Sequence, residues 1–132
     1  MNNKKLGNKF EKELCELLAK HGFWAYNCPS KTSGQPADII AVRNRISHLI
    51  DAKVCSDNKF LLKRVEENQD LAMDLWQECG NGIGWFALKT DGGVYMISHY
   101  VMKAYKDRQY SLSAKEIFEL GTPIEKWVKK CK

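Results

Sequence analysis

Two acids stand inside runs of residues that otherwise belong in a protein core: Asp38 within Ala37 to Val42, and Asp51 within Ile46 to Val54. Separated by Arg43-Asn44-Arg45, these apolar runs read as the strands of a β-hairpin with a polar, basic turn. A carboxylate in such a strand is costly unless something offsets it, and a bound divalent cation is one of the few partners that satisfies two carboxylates at once. Strand alternation puts Asp51 and Lys53 on one face. Hairpin pairing lets Asp38 approach Asp51 near the open strand ends, although the sequence leaves the register open. The blander alternative is an Asp51–Lys53 ion pair on an exposed edge strand, a common arrangement of little energetic weight.

A hard, oxygen-rich pocket of this kind suits Mg²⁺ or Mn²⁺, which retain waters and bind phosphate oxygens. Lys53, a compact point charge, is then placed to orient a water or offset charge developing on phosphorus.

The rest of the chain supplies a frame for the hairpin. Leu6, Phe10, Leu14, Leu17 and Leu18 recur at helical spacing, predicting a helix from about Leu6 to His21 that stops at Gly22. Glu11 and Glu13 border opposite sides of its apolar stripe, and both can reach a neighbouring cleft. Phe23 to Cys28 reads as a strand, Pro29 to Pro36 as a loop, and Phe60 to Leu62 as a short strand. Glu66 to Cys79 reads as a helix, and Ile83 to Leu88 with Val94 to Ser98 as a second hairpin around Asp91-Gly92-Gly93. Two short helices are expected near Val101 to Lys106 and Pro123 to Lys130. This order predicts an α/β domain with a mixed sheet.

At 132 residues the chain fits a single domain over residues 1–132. A core carrying the motifs spans residues 1–98, followed by a C-terminal helical extension over 99–132. Five cysteines (Cys15, Cys28, Cys55, Cys79, Cys131) are scattered without zinc-site or redox-dithiol spacing. That pattern, with no signal-like N-terminal run and no membrane-length apolar stretch, leads us to expect a cytoplasmic protein, of a bacterium or a phage-infected cell. The formal net charge of +5 favours an acidic partner such as nucleic acid.

Taken in order, Gly7-x-x-x-Glu11-x-Glu13-Leu14, Pro36-x-Asp38 and Asp51-Ala52-Lys53 resemble the PD-(D/E)XK nuclease superfamily, and within it the Holliday-junction resolvases of the archaeal and RecU types. The likeness spans roughly residues 5 to 98. It implies a restriction-endonuclease-like α/β domain whose central mixed sheet is flanked by helices, and a Mg²⁺-dependent endonuclease that resolves junctions by paired nicking, leaving 5′-phosphate ends. Residue by residue it implies Glu11, Asp38 and Asp51 as site carboxylates, Lys53 as the motif lysine and Gln69 as a supporting glutamine. Metal ligands would be Glu11, Asp38, Asp51 and the backbone carbonyl of Ala52. Asp51 departs from the Glu usual in these resolvases, and Glu13 remains an alternative to Glu11.

The resemblance also implies a homodimer, whose two-fold symmetry matches a four-way junction. Candidate DNA contacts are Lys4, Lys5 and Lys9, which precede or open the first helix, Lys31 and Ser33 in the loop before Asp38, and Lys59, Lys63 and Arg64 after the motif strand. Two competing readings stand beside this one: a nuclease of the same superfamily acting on duplex, flap or single-stranded DNA in repair, restriction or phage DNA processing, and a non-catalytic nucleic-acid-binding domain that retains the fold.

Overall fold

The computed structural model describes residues 3–29 and 37–130. Helix α1, Asn3–Lys20, buries Phe10, Leu14 and Leu18, one residue per turn along a single stripe. It ends as the sequence predicts: Gly22 takes a left-handed φ of +87°, with its N–H donating to Ala19 and that of Phe23 to Leu18. This pair of bonds is a Schellman motif, and it turns the chain into strand β1, Trp24–Asn27.

Strands β2, Ile39–Arg43, and β3, Ile46–Val54, form the expected hairpin. Its turn is tighter than expected. Asn44 and Arg45, at φ +52° and +68°, make a two-residue connection, and Arg43 joins the ladder opposite Ile46. After β4, Phe60–Leu61, a 3₁₀ turn over Leu62–Arg64 leads into helix α2, Glu67–Glu78. The crossover returns the chain as β5, Gly84–Thr90, parallel to β3, and β6, Gly93–Ser98, follows antiparallel.

Beyond residue 98 the chain holds helices α3, His99–Lys106, α4, Ala114–Leu120, and α5, Ile124–Lys130. Two-residue strands β7, Ser111–Leu112, and β8, Thr122–Pro123, pair with β4 and β6. The sequence reading missed α4, whose start is a capping box in which Ser113 accepts from the Glu116 N–H and Glu116 accepts from the Ser113 N–H.

The main sheet, in the order β1-β2-β3-β5-β6-β8, is mixed and flanked by helices, as expected. One face packs Phe10, Leu14 and Leu18 of α1 and Trp127 of α5 on Ile39, Ile50 and Ala52. The other sets Met73 of α2, Met102 of α3 and Ile117 of α4 against Leu49, Phe86 and Leu88. Strand β3 is therefore covered on both faces and paired on both edges.

The turn end of the β2–β3 hairpin is tied down. The Trp127 ring stacks on Phe23 at 5.7 Å and meets His48 edge-on at 5.1 Å. Arg43 lies over the Phe23 ring and donates to the carbonyls of His21 and Val128, joining the end of α1 to α5. His48 is buried, and neither ring nitrogen has a hydrogen-bond partner among the described residues. Burial first, then the Arg43 charge, lower its pKa from 6.5 to about 4. The unfolded chain thus takes up a proton that the native state refuses between these values, and stability, complete above pH 6.5, is lost as pH falls toward about 4. Urea titrations across that range should show this loss, and His48→Phe should flatten it.

Candidate active site

Asp38 lies one residue before β2, its N–H donating to the Ile50 carbonyl at 3.1 Å and its carbonyl accepting from the Cys28 N–H at 2.7 Å. The ladder pair Ile39↔Ile50, continued by one residue, sets Asp38 opposite Asp51. The Asp38 Oδ2 accepts from the Ala52 N–H at 2.8 Å. A side chain here occupies the place of a ladder partner, so the two acids meet where β2 begins and β3 continues.

Asp51 is only 2% exposed. Lys53 Nζ lies 3.1 Å from Asp51 Oδ2, near enough for an ion pair but poorly aimed for a hydrogen bond, and that oxygen has no other partner among the described residues. Burial, then the charge of Asp38, raise the Asp51 pKa well above its usual value, with Lys53 only partly opposing them. One ammonium thus stands beside a buried carboxylate that a second carboxylate faces. The arrangement is electrostatically incomplete, and a hard cation is the partner it fits.

Glu11 and Glu13 separate clearly. Glu13 is exposed and ion-paired with Lys9 at 3.9 Å and Lys89 at 3.6 Å. Glu11 is half-buried on the side of α1 facing the hairpin, close enough for Asp38 and Lys53 to act on it, and its pKa is raised to about 7, first by burial and then by Asp38. No three His, Cys, Asp or Glu side chains stand at metal-binding spacing among the described residues. The buried Asp51 carboxylate and the facing Asp38 are the features that fit a cation.

Gln69 is buried, and its Oε1 accepts from the Glu66 N–H at 3.1 Å, half of a capping box that starts α2. That bond is a local structural task. Lys4, Lys5 and Lys9 are exposed on the opening turns of α1, and Lys59 and Lys63 are exposed after β3. Arg64 is partly committed to the fold, donating to the Val54 carbonyl at 2.9 Å and lying over the Phe60 ring. Lys31 and Ser33 lie outside the described residues. Beside Ala52 opens a cavity of about 390 Å³ bordered by Gly7, Val54, Ser56, Lys59 and Arg64. Of these, Ser56 was not anticipated, since its neighbourhood reads only as a polar turn.

A mixed sheet carrying an Asp-x-Lys strand beside a second strand acid defines the PD-(D/E)XK class of nucleases. The model of the archaeal Holliday junction resolvase (Hjc) family matches residues 2–132, and the chain belongs to that family. It is therefore a Holliday-junction-resolving nuclease, a metal-dependent endonuclease of this family. The fold is also that of Archaeoglobus fulgidus Hjc, a Holliday junction resolvase from an archaeal hyperthermophile, with a TM-score of 0.70 and 19% identity over 92% of this chain and 99% of that one. No curated protein sequence gives a significant match. Among the described residues no helix is long and apolar enough to cross a membrane.

Glu11 holds its proton up to about pH 7, so a cation that drew on its carboxylate would bind more tightly as pH rises through that value and would release protons. Calorimetry in buffers of different ionisation enthalpy should detect the release, and Glu11→Gln should reduce both the release and the pH dependence.

Proposed function

We propose that this chain cuts four-way junctions by Mg²⁺-assisted hydrolysis, with Mn²⁺ as a working substitute, and leaves 5′-phosphate and 3′-hydroxyl ends. The observation that carries this reading is the buried Asp51 carboxylate, which faces Asp38 across the strand pair and has Lys53 at 3.1 Å from its Oδ2. Glu11, Asp38, Asp51 and the Ala52 carbonyl are the groups that would hold the cation. When bound, Mg²⁺ supplies Lewis-acid stabilisation of the phosphoryl oxygens.

Lys53 acts from beside Asp51. Its ammonium is held within the site, where it orients the attacking water and offsets charge gathering on the phosphorane-like transition state. Water adds its oxygen to phosphorus, the bond from phosphorus to the 3′ oxygen breaks, and that oxygen leaves with a proton. Gln69 supports the site by fixing where α2 starts. Lys4, Lys5, Lys9, Lys59, Lys63 and Arg64 bind backbone phosphates, and the loop bearing Lys31 and Ser33 contributes further contacts.

Asp51→Asn and Lys53→Ala should each lower junction cleavage by about 10²–10³-fold or more while junction binding survives. Gel assays on a synthetic junction with duplex and flap controls test this, and paired symmetric nicks near the crossover mark junction resolution. Undiminished cutting by either variant would exclude the assignment, and equal cutting of duplex or flap would move the substrate to other DNA.

The enzyme acts as a homodimer in this reading. Leu71 and Leu75, one turn apart on α2, are about 60% and 59% exposed beside an apolar cavity of about 460 Å³ lined by Leu75, Trp76, Ile40 and Leu49. On the same side of the sheet, Trp24 and Tyr26 stack at 6.1 Å while largely exposed on the edge strand. A patch of this kind marks a protein contact, and a second copy supplies the two-fold symmetry a junction presents. Leu71→Glu combined with Leu75→Glu should yield a monomer in sedimentation that nicks without pairing its cuts. An unchanged dimer would place the interface elsewhere.

A further inference from the structure

The cavity beside Ala52 has an unusual lining for a protein that must hold a polyanion next to carboxylates. Its border carries Ser56, Lys59 and Arg64, and no acid and no aromatic ring is among its lining residues. An aromatic-free, cationic wall suits a phosphate rather than a stacked base. Gly7 leaves room there, since a Cβ on it would meet nothing within 4 Å.

The turn that presents Ser56 and Lys59 is strained and braced. Asp57 and Asn58 both take left-handed φ values, +53° and +55°, and the Lys59 N–H closes the turn on the Ser56 carbonyl at 3.1 Å. Left-handed backbone is unfavourable for a residue other than glycine, and Asn and Asp tolerate it best. Asn58 Nδ2 donates to Asp91 Oδ2 at 3.1 Å, while Asn58 Oδ1 accepts from the Asp91 N–H at 2.9 Å. Asp91 belongs to the β5–β6 turn, whose Gly92 N–H is held by Thr90 Oγ1 at 3.1 Å. The turn after β3 and the β5–β6 turn are therefore fastened to each other beside the cavity. Nothing in core packing calls for such a link between exposed turns, whereas holding a lysine's backbone over a cavity does.

We propose that this cavity is a subsite for a DNA backbone phosphate adjacent to the one cut, bound by Ser56, Lys59 and Arg64, and that Asn58 and Asp91 are positioning residues that aim Lys59 into it. The subsite rests on the junction-resolving reading. It extends that reading to the strand's path: from the carboxylates, past Ala52, toward the start of α1. Bracing the turn before DNA arrives lowers the ordering cost of binding, so the effect falls on KM rather than kcat.

The test uses the full chain, a fluorescent four-way junction, a salt series without divalent cation, and Mg²⁺-dependent cleavage in parallel. Lys59→Ala should weaken junction binding about tenfold, the size of one charge-assisted hydrogen bond, and reduce the salt slope by about one. Asn58→Gly, which keeps the turn's backbone comfortable but loses both bonds, should reproduce most of that loss. Adding it to Lys59→Ala should have little further effect, because the two act as one. Exchanging the partners, Asn58→Asp with Asp91→Asn, should restore binding, which a general loss of stability would not allow. An unchanged salt slope in Lys59→Ala, or full additivity of the two variants, overturns the subsite while wild-type junction cleavage leaves the resolvase reading standing. Failure of the wild type to bind and cut junctions removes both.

Discussion

Everything near the site follows from one electrostatic debt, the burial of Asp51 opposite Asp38 with a single lysine beside it. A carboxylate so thoroughly removed from water is tolerated only with close positive charge or a retained proton, and Lys53 supplies one charge for two acids. Glu11 brings a third carboxyl toward the same point and answers by holding its proton. Such a cluster adds little to the fold and is best satisfied by a hard cation, which links stability to occupancy.

The frame makes that debt tolerable. Strand β3 is paired on both edges and packed on both faces, so the backbone carrying Asp51 has little freedom to move toward solvent. Asp38 meanwhile gives its carboxylate to the Ala52 N–H, so the acid that repels Asp51 also holds the strand that bears it. At the opposite end of the same hairpin, Arg43 and Trp127 bind α1, β1 and α5 into one knot. Aromatic and cationic contacts fasten the turn end, and the buried carboxylates stand at the other.

Much of this was legible because its signals are local. The Phe10, Leu14, Leu18 stripe, the Gly22 stop and the two apolar strand runs each declare themselves within a few residues, and Asp51 with Lys53 follows from strand alternation alone. What escaped depends on contacts distant in sequence. Glu11 and Glu13 border the same stripe, and only the placement of Lys9 and Lys89 against one and of Asp38 and Lys53 against the other separates them. Helix α4 is short, and its capping box lies in a stretch with little apolar periodicity to reinforce it. Strand β8 is two residues long and exists only because β6 offers an edge. For Gln69 a sequence likeness could suggest support for the site, but its bond to Glu66 needed the folded helix start to be seen.

The charge distribution separates binding from cutting. The chain carries a net +5, yet the groups closest to the site are carboxylates, which repel a phosphodiester at short range. In the proposed reading attraction comes from the exposed lysines on the opening turns of α1 and after β3, whose effect would extend over roughly 10 Å at 0.1 M salt. Contacts of that kind would track the backbone irrespective of sequence and leave selectivity to the shape of the junction. A cation held at Asp38 and Asp51, as proposed, would reverse the sign of the local field at that point, and a phosphate there would meet positive charge on the side of the two acids.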